Sequence, residues 1–162
     1  MGIRILVTGG TFDKTYNMIN GSLHFTETHI PEILELGRSK VDYTLRTLMM
    51  IDSLDMTEED RAIIKYNCKK SKEKKVLITH GTDTMAETAR YLAEAKIDKT
   101  IVLTGAMIPY KFGASDALYN FGSAMAFVEV LPKGVYVVMN GKYFDWNDVK
   151  KDRKTGFFET IK

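Results

Sequence analysis

The chain alternates short apolar runs with stretches of helical periodicity, and each apolar run stops at a small or polar residue. Ile3 to Thr8 is β-branched and apolar and is closed by Gly9 and Gly10. Val76 to Thr79, Ile101 to Thr104 and Val135 to Met139 have the same character, so all four read as buried strands. Tyr43 to Ile51 alternates Tyr, Leu, Thr, Met and Ile with Thr, Arg, Leu and Met, and is read as a fifth strand in preference to a helix. Helical segments lie between them. Pro31 opens a short helix that ends at Gly37. Thr57 and Asp60 approximate a capping box for a helix from Glu58 to about Ser71, with Ala62, Ile63, Tyr66 and the stem of Lys70 expected inward. Ala86 to Ala95 is rich in helix formers. Ser115 caps a helix whose Leu118, Phe121, Met125, Val128 and Leu131 follow one face. Residues 12 to 29 lack either period and read as a long loop with a hairpin signal at Asn20–Gly21, long enough to serve as a lid. Residues 140 to 149 read as a polar loop, and Phe157–Phe158 as a terminal strand or a partner surface.

Continuous apolar strands separated by helices ask for an α/β fold with a mostly parallel sheet covered on both faces and joined by right-handed crossovers. The 162 residues fit one domain, 1–162. With 23 basic and 21 acidic residues, the net charge of +2 favours neither nucleic acid nor an acidic partner. The lysines between 65 and 75 lack interleaved aromatics and read as a solvated helix end. The N-terminus lacks the apolar stretch of a signal peptide, no run is long enough for a membrane span, and Cys68 has no partner for a disulfide. The expectation is a cytoplasmic protein without membrane or nucleic-acid partners.

In open parallel sheets, ligands lie beyond the carboxyl ends of the strands. Three strands here end in Thr8–Gly9–Gly10–Thr11, Thr79–His80–Gly81–Thr82–Asp83 and Thr104–Gly105–Ala106–Met107. Brought together, they offer two hydroxyls, a carboxylate, an imidazole and accessible backbone N–H groups, which suit attack on a carbonyl and stabilisation of the resulting oxyanion. Neither a dinucleotide fingerprint nor a P-loop is present, and His24, His29 and His80 show no metal-ligand spacing. Each piece also has a plainer local reading. The Gly–Gly–Thr run serves a tight turn, His80 serves as a structural histidine, Thr82 and Asp83 serve as helix caps, and Lys151 is a solvated lysine.

Taken together and in this order, these three runs resemble the bacterial-type asparaginase/glutaminase family. So do Asp52–Ser53–Leu54–Asp55–Met56, Tyr119–Asn120, Val137–Val138–Met139–Asn140 and Asp148–Val149–Lys150–Lys151. The resemblance implies a Rossmann-like three-layer sandwich, as in that family's N-terminal domain, and a cofactor-free amidohydrolase with a threonine nucleophile. It makes Thr11 the primary nucleophile, and Thr82, Asp83 and Lys151 the second threonine and its activating partners. Gly10, Ser53, Leu54, Asp83 and Ala106 would line the pocket of a small amide substrate, with Ser53 and Asp83 on its α-carboxylate and α-amino groups. Tyr16, the one tyrosine in the 12–29 loop, is expected to stand in for the family's loop tyrosine. Family members usually carry a second, smaller domain and complete their sites with a partner subunit. The chain is therefore expected to be a homodimer or higher homo-oligomer, or to take that domain from a separate chain. Leu54 stands where the family often has a polar residue, so the amine pocket is expected to be thinned. The central expectation is geometric: residues 11, 82, 83 and 151 meet around one small cavity at the sheet's edge.

Overall fold

A computed structural model describes residues 2–162. In chain order the elements begin with β1 (Ile3–Gly9), β2 (Lys14–Tyr16), β3 (Leu23–Phe25), α1 (Ile30–Leu36) and β4 (Tyr43–Ile51). They continue with α2 (Glu58–Lys70), β5 (Lys75–Thr79), α3 (Met85–Glu94), β6 (Thr100–Thr104) and α4 (Ala117–Val130). The chain closes with β7 (Gly134–Met139), β8 (Lys142–Asp145), β9 (Lys150–Lys151) and β10 (Phe158–Glu159). The main sheet has six strands in the order β4-β1-β5-β6-β7-β8. Its first five are parallel, and β8 runs antiparallel at one edge.

Strand period 2 sorts the core into two layers. Ile3, Ile5, Val7, Leu77, Val102 and Val138 pack with α1 and α4, chiefly through Ile33, Phe121 and Val128. Leu6, Val76, Ile78, Ile101, Leu103 and Val137 pack with α2 and α3 through Ile64, Cys68, Met85 and Leu92. The result is the expected three-layer α/β sandwich. At the carboxyl ends of the strands, hydroxyls tie neighbours together: Thr8 Oγ1 donates to the Thr79 carbonyl at 2.7 Å and Thr104 Oγ1 to that of Val138 at 2.8 Å.

Three local readings change. The inward stripe of α2 is Arg61, Ile64 and Cys68, while Ala62, Ile63 and Tyr66 face solvent. The stripe is displaced because a charged residue takes an inward position and finds hydrogen-bond partners there. The polar loop after β7 contains β8, joined by a two-residue turn in which Asn140 (φ 59°) and Gly141 (φ 78°) are both left-handed, as a type I′ hairpin requires. On α4, Leu118 is exposed, whereas Phe121, Met125 and Val128 are buried as expected. The 12–29 segment is a hairpin, with Lys14 opposite Phe25 and Tyr16 opposite Leu23. Phe158 enters the core as part of the terminal strand pair, and Phe157 stays exposed. Among the described residues no helix is long and apolar enough to cross a membrane.

Candidate active site

Because β1, β5 and β6 are adjacent and parallel, their glycine-containing ends lie at the same edge of the sheet. The main chains there nearly touch. Gly10 has φ 81°, and a Cβ on it would stand 2.5 Å from Gly81 Cα. A Cβ on Gly81 would in turn stand 2.7 Å from Ser53 Oγ. Contacts that short exclude any side chain at either position, so glycine brings the 10–11, 53–55 and 81–83 segments together.

Hydrogen bonds fix these loops. The register between β1 and β4 slips between Val7 and Gly9, and Gly10 N–H donates to the Ile51 carbonyl at 2.9 Å. Thr84 N–H donates to Ser53 Oγ at 3.1 Å and Thr84 Oγ1 to the Ser53 carbonyl at 2.9 Å. Asp116 accepts the Met107 N–H at 2.9 Å, and Asn120 Nδ2 donates to the Gly105 carbonyl at 3.0 Å. Lys14 Nζ meets Asp52 at 2.6 Å and ties the 14–25 hairpin to the 53–55 turn.

Lys151 arrives from the far end of the chain. It pairs with Phe158, whose N–H donates to Asn140 Oδ1 at 2.9 Å, so the β9–β10 hairpin is anchored to the β7–β8 turn. Its Nζ lies 2.8 Å from Thr82 Oγ1 and 3.0 Å from Asp83 Oδ1, with the side chain 11% exposed. The Thr82 hydroxyl also faces Met107 Sδ at 3.6 Å. Arg153 forks onto Asp83: Nη1 donates to Oδ1, and Nη2 donates to the Asp83 carbonyl at 2.8 Å. Burial pushes the Asp83 carboxyl up, but the hydrogen bond and charge of Lys151, with those of Arg153, outweigh it and hold the group below its ordinary value.

The structure thus brings Thr82, Asp83 and Lys151 into direct contact. Thr11 lies in the neighbouring loop, half-buried, on the residue after Gly10. Among the described residues no side-chain hydrogen bond joins Thr11 or Tyr16 to the Thr82–Lys151 pair. Tyr16 is on the exposed hairpin, with its hydroxyl over Gly21 at the turn. Ser53 is buried and its Oγ is already engaged by Thr84, Ala106 is buried, and Leu54 is 70% exposed. The capping alternative for Thr82 and Asp83 does not hold, since Thr84 is the N-cap of α3. Lys151 is not a solvated lysine. His80 is the satisfied structural histidine of its local reading: Nδ1 lies 2.7 Å from the Gly81 carbonyl oxygen and Nε2 lies 2.8 Å from Thr88 Oγ1.

Sequence reading missed Arg153. It lies in the turn that follows β9, so no strand or helix periodicity marks it, and only its closeness in the chain to Lys151 could have pointed to it. No cluster of three or more His, Cys, Asp or Glu able to hold a metal occurs among the described residues.

The family described as asparaginase, N-terminal, matches residues 2–160. The chain belongs to the asparaginase family.

Asparaginases and glutaminase-asparaginases match along nearly its whole length. It is 45% identical to the glutaminase-asparaginase of Acinetobacter glutaminasificans over 160 residues, which is 91% of this chain and 48% of that protein. It is 31% identical to L-asparaginase 2 of Escherichia coli, over 94% of this chain and 47% of that one. The thermostable L-asparaginase from Thermococcus kodakarensis superposes with a TM-score of 0.86 at 26% identity, covering 99% of this chain and 51% of the other. The chain spans about half the length of the asparaginases it matches.

Proposed function

We propose that the chain is an amidohydrolase of the asparaginase type, which hydrolyses L-asparagine or a related small amide to the acid and ammonia through a threonine nucleophile. One observation carries the reading: a largely buried lysine nitrogen stands 2.8 Å from a threonine hydroxyl and 3.0 Å from an aspartate, at the edge where a parallel sheet binds ligands. An alcohol attacks an amide only when a base takes its proton. In the proposed reaction a threonine oxygen bonds to the amide carbon and its proton passes to the amine of Lys151. The carbon–nitrogen bond then breaks, and ammonia leaves with that proton. Water cleaves the resulting ester and restores the hydroxyl. Thr82 is the hydroxyl with the base in reach. Thr11, the primary nucleophile by family resemblance, sits in the loop whose Gly10 abuts Gly81. Asp83 holds the lysine in place, and backbone N–H groups of the glycine loops face the developing oxyanion.

Ammonia release from a panel of small amides tests this. Removing a proton-transfer group costs about 10²–10⁴-fold, so Lys151→Met and Thr82→Ala are expected to lose at least a hundredfold in kcat while retaining the fold by circular dichroism. Wild-type turnover no greater than that of Lys151→Met across the panel would sink the proposal.

A second reading is a non-catalytic amino-acid-binding module, and it is favoured by Thr11, which among the described residues has no side-chain hydrogen bond to the Thr82–Lys151 pair. Titration calorimetry with aspartate separates the two, since tight binding without any ammonia release supports the binding module alone. In either case we take the chain to act as a homo-oligomer, as the family resemblance implies.

A further inference from the structure

Two asparagines tie the loop after β6 to the strand that carries Lys151. Asn120, on α4, is almost fully buried and has both polar atoms of its side chain engaged. Its Nδ2 donates to the Gly105 carbonyl at 3.0 Å and to Asp116 Oδ2 at 3.1 Å, and its Oδ1 accepts the Asn140 N–H at 3.1 Å. Asp116 in turn accepts the Met107 and Ile108 N–H groups, both at 2.9 Å. A carboxamide supplies two donors and an acceptor on one short planar group; aspartate at this position would lose the donors, and leucine all three.

Asn140 carries the connection outward. Its N–H is held by Asn120, and its Oδ1 accepts the Phe158 N–H at 2.9 Å. Phe158 is buried and pairs with Lys151 in the β9–β10 hairpin. The two strands are two residues each, and a ladder that short needs an outside anchor to hold its place. The path runs without a break from Gly105 and Met107 through Asn120, Asn140 and Phe158 to Lys151. Its two ends meet again at Thr82, whose hydroxyl faces Met107 Sδ at 3.6 Å and Lys151 Nζ at 2.8 Å.

We propose that Asn140 is a positioning residue: its side-chain oxygen, oriented by Asn120, sets the place of the Lys151 amine against the Thr82 hydroxyl. Among the described residues it makes no hydrogen bond to either group, and it acts through the Phe158 main chain. The proposal rests on the amide-hydrolysis reading above, in which Lys151 takes the threonine proton. Proton transfer needs the base within hydrogen-bond reach, and a misplacement of about 1 Å can cost about 10²-fold in rate.

Asn140→Gly and Asn140→Asp separate the side-chain oxygen from the turn. Asn140 has φ 59°, so glycine keeps the left-handed backbone of the hairpin and removes only the oxygen, while aspartate keeps an oxygen for the Phe158 N–H. With a small amide as substrate, Asn140→Gly is expected to lose about tenfold or more in kcat with KM changed by less than about threefold, and Asn140→Asp to stay within about threefold of wild type in both. Wild-type kcat in Asn140→Gly overturns the proposal, as does an equal loss in the two variants or a loss confined to KM. The place of Lys151 is also read without turnover, from the titration of the Asp83 carboxyl by carbon-13 NMR. Burial raises that carboxyl, and the bonds and charges of Lys151 and Arg153 bring it below its ordinary value. Withdrawal of Lys151 in Asn140→Gly is expected to move the titration up. If wild type hydrolyses no amide, the reaction fails and this measurement decides alone. A titration that rises in Asn140→Gly and not in Asn140→Asp upholds the positioning role; one unchanged in Asn140→Gly, or shifted equally in both variants, overturns it.

Discussion

His80 shows how one buried side chain couples the site's scaffold to pH. It is fully buried behind Gly81 and Thr82, with both ring nitrogens engaged. Burial pulls its pKa down to about 4 from the ordinary 6.5. The Gly81 carbonyl opposes the shift and the charge of Arg61 adds to it. The unfolded chain takes up a proton near 6.5, and the folded chain refuses it until about 4. Between those values the unfolded state binds more protons, so stability rises with pH across the window, is complete above 6.5 and is lost as pH falls. Buried His29 is shifted the same way and Asp13 the opposite way, so a variant is needed to isolate His80. Wild type is expected to lose about 2 kcal/mol more than His80→Asn between pH 7 and pH 5, by urea unfolding at each pH. The variant starts lower at pH 7, because its shorter side chain gives up the Thr88 contact. Parallel curves for the two proteins would show that the histidine is not held neutral.

Helix α2 supports the site from beneath through Arg61. Its Nε donates to Thr88 Oγ1 at 2.9 Å and its Nη2 to Thr84 Oγ1 at 3.1 Å, and Thr84 in turn holds the Ser53 carbonyl. A helix on one face of the sheet thereby fixes the start of α3 and the turn after β4. Arg61→Met keeps the bulk and leaves two buried hydroxyls short of a donor. The expected cost is about 2–3 kcal/mol in chemical denaturation, with helix content retained by circular dichroism. A loss below about 0.5 kcal/mol would show that the helix docks by its apolar residues alone. Arg61 also marks the limit of what the sequence makes legible at this scale. The capping box of Thr57 and Asp60 was readable, because both partners are three residues apart and each bonds the other's backbone. The inward stripe was not, because periodicity assigns charged residues outward and the partners of Arg61 are 23 and 27 residues away. The β7–β8 hairpin carried the same Asn–Gly signal that marked the 14–25 hairpin, but its strand is short and polar. The strands β5, β6 and β7 were legible because both their faces are buried and their sequences are continuously apolar. The Lys151–Thr82 contact spans 69 residues, so no local pattern encodes it; the family resemblance was what pointed to it.

At the scale of the whole molecule, α1 and α4 cover one face of the sheet and leave an apolar groove between them. Leu36, Val41, Leu118, Phe121 and Met125 line it. Leu36 and Leu118 are exposed, and Val130 at the far end of α4 is 75% exposed, so α4 is apolar beyond the face it buries against the sheet. A contiguous surface of this kind usually marks a contact site. A second copy satisfies it if the same patch meets itself about a two-fold axis, which is the commonest closed arrangement and needs about 800 Å² from each partner. The homo-oligomer proposed above is therefore expected to use this face. Light scattering coupled to size exclusion reads the result directly. Wild type should run at about twice the chain mass of 18.4 kDa, and Leu118→Glu should run as a monomer, because it sets a charge against its own symmetry mate. Leu118 is already half exposed in the single chain, so the substitution should leave the unfolding midpoint of the monomer nearly unchanged. A wild type of 18.4 kDa at assay concentration would rule out the self-assembled pair. A dimer that survives Leu118→Glu would move the contact elsewhere, with Phe157, just before the terminal strand β10, as the next exposed apolar residue to test.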